Sequence, residues 1–309
     1  MIKRLVIGLL AGAFILGACS GGGDAPSGCF DPGLSKFGSD FQNFLNNSGN
    51  SDLTGFGGSS SKSGDCAISK QPVIFIHGNG DTADGSEMAM GGWEDSRNYF
   101  IDKGYKPSEL YAVNYGIAGM SGASLNYHSP ENLSKINRFI KAVLDYTGAA
   151  KVDVIAHSLG VTATRRAVKG GQYSDYTGTS VNMTTGLQYK IDTFVGAAGA
   201  NKGLNSCGVW PLNVWAPTCG PHGFAIGNPF FDELGSFKAG NYNFGLISYA
   251  DQLTCAPMMP TTCYVYGVHT SKVPGANGNK SFYSYPYGHM GLKNETAYYQ
   301  YKMVTGHSY

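Results

Sequence analysis

Apolar and polar residues change rhythm twice along this chain. Leu5 to Leu16 form an unbroken run of twelve apolar or small residues behind Lys3 and Arg4. From 20 to 71 Gly, Ser, Asn and Asp dominate, and Gly21-Gly22-Gly23 and Gly57-Gly58-Ser59-Ser60-Ser61 read as flexible linkers. Within that arm Phe37, Phe41, Phe44 and Leu45 recur at helical spacing, which predicts a short amphipathic helix docked on the main body. From Pro72 onward short β-rich apolar runs alternate with helical stretches. That is the pattern of a mostly parallel sheet covered by helices on both faces.

The predicted strands are Val73 to Ile76, Leu110 to Tyr115, Val152 to Ala156, Tyr189 to Val195, Leu246 to Ala250 and Cys263 to Val268. Helices are predicted near Glu94 to Lys103, over 131–147, from Gly160 to Val168 and from Glu295 to Val304. The second is the clearest, because Leu133, Ile136, Ile140, Val143 and Leu144 share one face. Ser129 supplies an N-cap, Pro130 the first position and Gly148 the stop. Residues 197–244 break the rhythm and read as an insertion or lid over the sheet's edge. Its Trp210, Trp215, Phe224, Phe230, Phe231 and Phe237 suit either an apolar lip for a polymer or lipid surface or an internal packing layer. The organisation expected is thus a leader over 1–18, an N-terminal arm over 19–71 and one α/β domain over 72–309.

The leader is too short for a bilayer span, which needs about 20 apolar residues, and reads as an export signal. Its end, Leu16-Gly17-Ala18-Cys19, resembles a bacterial lipobox, which implies cleavage before a lipidated Cys19; Ser20 then implies sorting to the outer membrane. The expected locations are therefore the cell surface, through a lipid anchor, or the medium. Six further cysteines suit an oxidising compartment. Nearest-neighbour pairing is simplest, joining Cys29 to Cys66, Cys207 to Cys219 and Cys255 to Cys263. No C-x-x-C or H-x-x-x-H spacing marks a zinc site.

Charge narrows the partners. Lys and Arg total 22 against 21 for Asp and Glu, so no basic excess exists for nucleic acid. Charged residues are only 14% of the 309, against about 25% in ordinary soluble domains. A surface so poor in charge favours adsorption to a neutral ester. At 42% hydrophobic the chain is not intrinsically disordered.

The chemistry centres on Ala156-His157-Ser158-Leu159-Gly160, where a buried strand becomes a helix. Such a turn holds a serine exposed at the sheet's carboxyl edge, and small residues two before and two after it let the turn close. Ser158 is the candidate nucleophile. The base and acid follow it in the order Ser, acid, His in folds of this kind. His289, in the glycine-flanked loop Tyr287-Gly288-His289-Met290-Gly291, is the candidate base, with His269 second and His222 and His307 less well placed. Asp251, directly after an apolar run, is the candidate acid ahead of Asp192, Asp232 and Glu233. Oxyanion donors are expected from the backbone of Leu159 and of His77 in the loop His77-Gly78-Asn79-Gly80. Asn79 and Asp81 are given only the task of holding that turn. This chemistry calls for no metal or organic cofactor.

Several patches together resemble the extracellular depolymerases of amorphous poly(3-hydroxybutyrate), and more distantly the small bacterial lipases with Ala in the box. They are Val73 to Asp81, Tyr127-His128-Ser129, Tyr146-Thr147-Gly148, Val152 to Gly160, Ala216 to Gly220, Asp251-Gln252 before Cys255, and Gly288-His289. The resemblance implies an α/β-hydrolase fold, Ser158, Asp251 and His289 as triad, His77 and Leu159 as backbone donors, and a polyester substrate. The insertion looks shorter than in those depolymerases. The alternatives are a triacylglycerol lipase or carboxylesterase, and a surface lipoprotein that binds without turnover.

Overall fold

The computed structural model describes residues 29–86, 91–212, 216–255 and 263–309. The leader, Cys19 and Trp215 lie outside the described residues. In chain order the strands are β1 (Gly55–Gly57), β2 (Val73–Ile76), β3 (Leu110–Val113), β4 (Val152–His157), β5 (Gly171–Ser174), β6 (Ser180–Met183), β7 (Ile191–Ala197), β8 (Tyr242–Ser248), β9 (Tyr264–Val265), β10 (Val268–His269) and β11 (Gly278–Phe282). The helices are α1 (Ser39–Asn47), α2 (Glu94–Asp102), α3 (Met120–Ala123), α4 (Pro130–Thr147), α5 (Leu159–Lys169), α6 (Pro229–Leu234), α7 (Gly291–Asn294) and α8 (Ala297–Gly306).

Seven strands form one sheet in the order β1-β3-β2-β4-β7-β8-β11. Every neighbouring pair is parallel except β1 with β3. The central strand β4 is buried on both faces because alternate residues enter different cores. Val152, Val154 and Ala156 join the side chains of α4 and α5, whereas Ile155 packs with Phe75, Phe100 and Met303 on the face of α2 and α8. Burying each large apolar side chain contributes about 1.5–3 kcal/mol, which is why β4 reads as a continuous apolar run. Helix α4 forms as its sequence dictates: Ser129 Oγ accepts the Asn132 N–H at 3.2 Å, and Gly148 closes the helix in the left-handed conformation. Together these make the α/β-hydrolase fold.

The N-terminal arm differs from the linker expected of its composition. Helix α1 forms where the aromatic spacing places it, burying Phe41 and Leu45. The stretch Gly55–Gly57, however, is an antiparallel edge strand of the main sheet, with Phe56 fully buried. Two other expectations shift. Strand β8 begins four residues earlier than its apolar run, and the Cys263 to Val268 run is a separate hairpin of β9 and β10. Cys29–Cys66, Cys207–Cys219 and Cys255–Cys263 are joined as disulfides. Among the described residues no helix is long and apolar enough to cross a membrane.

The segment between β7 and β8 is an internal layer more than a lip. Phe224 and Phe230 are buried, and Phe231 and Phe237 pack against the same core. Two buried arginines of α5 fasten it. Arg165 donates to Asn201 Oδ1 and to the carbonyls of Gly235 and Phe237, while Arg166 pairs with Glu233 at 2.8 Å. The His128 ring stacks on Phe230, their centroids 3.7 Å apart.

Candidate active site

Ser158 sits between β4 and α5 with φ 54° and ψ −124°, a backbone that a side-chain-bearing residue adopts only under constraint. Its N–H donates to the Ala197 carbonyl on the neighbouring strand at 2.9 Å. The turn closes because glycines lie where it meets the β2 loop. A Cβ on Gly160 would enter the carbonyl oxygen of His77, and one on Gly78 would lie 2.9 Å from Ser158 Cβ. Ser158 is consequently presented, half-exposed, at the carboxyl edge of the sheet.

His289 arrives from the loop between β11 and α7. Its Nε2 lies 3.0 Å from Ser158 Oγ, and its Nδ1 lies 3.0 and 2.9 Å from the two carboxylate oxygens of Asp251. Because Nδ1–H donates to the carboxylate, Nε2 carries the lone pair and faces the Ser158 hydroxyl as an acceptor. Asp251, three residues past the end of β8, is fully buried. Burial opposes its ionisation. The facing His289 and the N–H groups of Thr254 and Leu253 outweigh that penalty and hold its pKa at about 2. The acid is therefore a fixed negative charge at neutral pH. The sequence candidates Ser158, His289 and Asp251 are thus brought together in one hydrogen-bonded line.

The other histidines have different surroundings. His269 packs beside the Cys255–Cys263 disulfide, with Nε2 3.3 Å from the Ser248 carbonyl. His222 stacks on Tyr176, and His307 pairs with Asp192. His77 is buried: its Nδ1–H donates to the Gly78 carbonyl at 2.8 Å and its Nε2 accepts the Tyr115 N–H. Burial lowers its pKa, so the ring stays neutral and structural. Gly78 and Asn79, the next two residues, are the ones that line the cavity beside Ser158. The Asn79 side chain holds the turn by donating to the Ala123 carbonyl and accepting from Asn126.

One feature of the site gave no sequence signal. Asp81, at the end of this turn, makes an ion pair of 2.8 Å with Lys293 of α7, and both side chains are excluded from solvent. A buried pair ties the Gly78 turn to the segment that follows His289. Sequence alone links them by nothing, since they stand 212 positions apart.

Ser158 and His289 open into a cavity of about 480 Å3 whose apolar wall includes Met120, Leu204, Phe224, Leu253 and Met290. That volume suits an acyl chain or a short ester segment. Leu253 and Met290 neighbour the acid and base in sequence, Met120 opens α3, and Leu204 and Phe224 come from the layer between β7 and β8.

Residues 70–302 match the family described as Lipase (class 2). Among solved structures, Aspergillus fumigatus lipase B is 16% identical with a TM-score of 0.49 over 74% of this chain and 51% of that one. The chain thus spans about half the length of that lipase. Lipase BlEst2 of Bacillus licheniformis in its mature form is 12% identical with a TM-score of 0.49, over 76% of this chain and 91% of that one. An esterase of Pyrococcus furiosus is 14% identical with a TM-score of 0.44, over 76% and 81%. With its family match running from just before β2 into α8, the chain belongs to the class 2 lipases.

Proposed function

We propose that this protein is an exported serine hydrolase of carboxylic esters, with poly(3-hydroxybutyrate) as its polymer substrate. The observation that carries the reading is the line Ser158 Oγ, His289 Nε2, His289 Nδ1, Asp251, set at the floor of an apolar cavity. Ser158 Oγ attacks the ester carbonyl as His289 takes its proton. Asp251 holds the imidazole and stabilises the cation that forms. The developing oxyanion is met by the amide of Leu159 and by an amide of the His77 to Asn79 turn, of which Gly78 and Asn79 border the cavity. Collapse expels the alcohol, protonated by His289, and leaves an acyl-serine that water then hydrolyses.

The polymer reading is supported by the patches that resemble those of the depolymerases, by the scarcity of charge and by the apolar wall. Membership of the class 2 lipases favours a second reading, hydrolysis of acylglycerols, at the same triad. The disulfides fit an oxidising compartment, and we assign Cys19 as the lipid anchor.

The test is release of soluble hydroxybutyrate oligomers from amorphous polymer granules by the mature protein, beside a tributyrin emulsion and Ser158→Ala. Oligomer release that falls on the order of 10⁴-fold or more in the variant is the expected result. Ser158-dependent turnover of tributyrin alone moves the function to a lipase. Turnover of neither leaves a binding protein.

A further inference from the structure

The backbone of His289 is gripped by side chains at both its N–H and its carbonyl. Its N–H donates to Gln252 Oε1 at 3.0 Å, and its carbonyl accepts the Nε2–H of His157 at 3.0 Å. These two partners are the chain neighbours of the other triad members: Gln252 directly follows Asp251, and His157 directly precedes Ser158. The base is thus fixed to the strand that carries the nucleophile and to the loop that carries the acid. We infer that Gln252 and His157 are positioning residues, which set the height and tilt of the His289 imidazole by holding its backbone. The inference rests on the triad reading above and deepens it.

Three further observations fit. His157 is buried, and burial, with His289 and Lys293 nearby, holds its pKa well below the usual histidine range. A neutral ring has one N–H to give, and it is spent on the His289 carbonyl. Gln252 is solvent-exposed, so its amide contributes little core. Its conformation is nevertheless built for: a Cβ on Gly288 would lie 2.6 to 3.0 Å from the Gln252 amide atoms. Glycine before the base therefore leaves the space in which that amide reaches the His289 N–H. An imidazole displaced by a fraction of an ångström loses alignment with the serine hydroxyl, and positional errors of this size carry large rate penalties.

The experiment uses the full mature protein with a soluble p-nitrophenyl ester, kcat being referred to sites titrated with a serine-reactive phosphonate. Gln252→Ala is expected to lower kcat about tenfold with KM unchanged and the melting midpoint unmoved. Gln252→Glu keeps an acceptor oxygen at the same reach and is expected to hold kcat within about threefold. Gly288→Ala pushes the amide aside and is expected to match Gln252→Ala, while the double variant is no worse than either single one. His157→Leu is expected to show the same loss, and His157→Gln, which keeps an N–H donor, to recover most of it.

Wild-type kcat in Gln252→Ala, a loss carried by KM, or additive effects of Gly288→Ala and Gln252→Ala overturns the inference. Ser158→Ala run alongside separates the two levels of argument. Full turnover in that variant removes the triad reading itself, whereas an inactive Ser158→Ala beside an unaffected Gln252→Ala removes only the positioning role.

Discussion

The two loops that meet at the Ser158 hydroxyl hold their residues by different means. On the nucleophile's side the hold is made by backbone: a positive φ, an N–H bonded to the carbonyl of the adjacent strand, and a glycine two residues on that lets the turn seat against the β2 loop. The base's side is held by side chains. His289 takes its orientation from Asp251 and Gln252, 38 and 37 positions before it, and from His157, 132 positions before it. One loop is a backbone motif, and the other is a position defined by side chains from elsewhere in the sheet.

The largest effect that tests this difference is expected from Asp251→Asn. The amide keeps an acceptor for the Leu253 and Thr254 N–H groups but no longer holds the imidazole in its working tautomer. Steady-state kinetics on titrated enzyme should show kcat reduced on the order of 10³- to 10⁴-fold while the fold survives. A loss below tenfold means the base is oriented by its own loop after all.

Next in size is the same substitution made on each side. Gly160→Ala drives a methyl into the His77 carbonyl and should cost about 1–3 kcal/mol in urea unfolding. Gly288→Ala meets only the mobile end of a glutamine and should leave that midpoint where it is. Equal destabilisation by the two erases the distinction between a backbone motif and a borrowed position.

The smallest effect concerns Asp153, at the start of β4 and far from its Ser158 end. Burial pushes its pKa up to about 7, partly opposed by hydrogen bonds from Gln71 and Thr193. The folded state therefore holds this proton more tightly than the unfolded chain, whose carboxyl titrates near 4. Stability present below that pH is lost as pH rises through 7. Asp153→Asn should raise the melting midpoint by a few degrees at pH 8, roughly 1 kcal/mol, and leave it unchanged at pH 4. A gain of equal size at both pH values would trace it to packing and not to charge.

The same contrast explains what could be read from the chain. The α4 caps, the apolar run of β4 and the box around Ser158 are legible because each is a contiguous pattern answering to local physics. His289 and Asp251 were found by their order and their flanks, but nothing in a linear pattern joins Gln252 or His157 to the His289 peptide, or Asp81 to Lys293. Strand β1 gives no strand signal because Gly55-Phe56-Gly57 has one apolar residue to show, and its burial depends on pairing with β3 more than fifty positions later. Strand β11 is hidden in the sequence for a related reason. As an edge strand reading Gly-Asn-Lys-Ser-Phe it is half-buried, and burial does not impose alternation on it.

The bond between Cys29 and Cys66 also has a mechanical meaning. Tension on the chain ahead of Cys29 passes through the sulfur bridge to Cys66 and enters the sheet at β2, by way of a few residues. Helix α1 and edge strand β1 hang inside the closed loop and bear none of it. The load falls on a strand hydrogen-bonded along both sides, to β3 and to β4, where it must shear two ladders at once before the sheet gives. A protein pulled from that end is braced at its centre, not peeled from its edge.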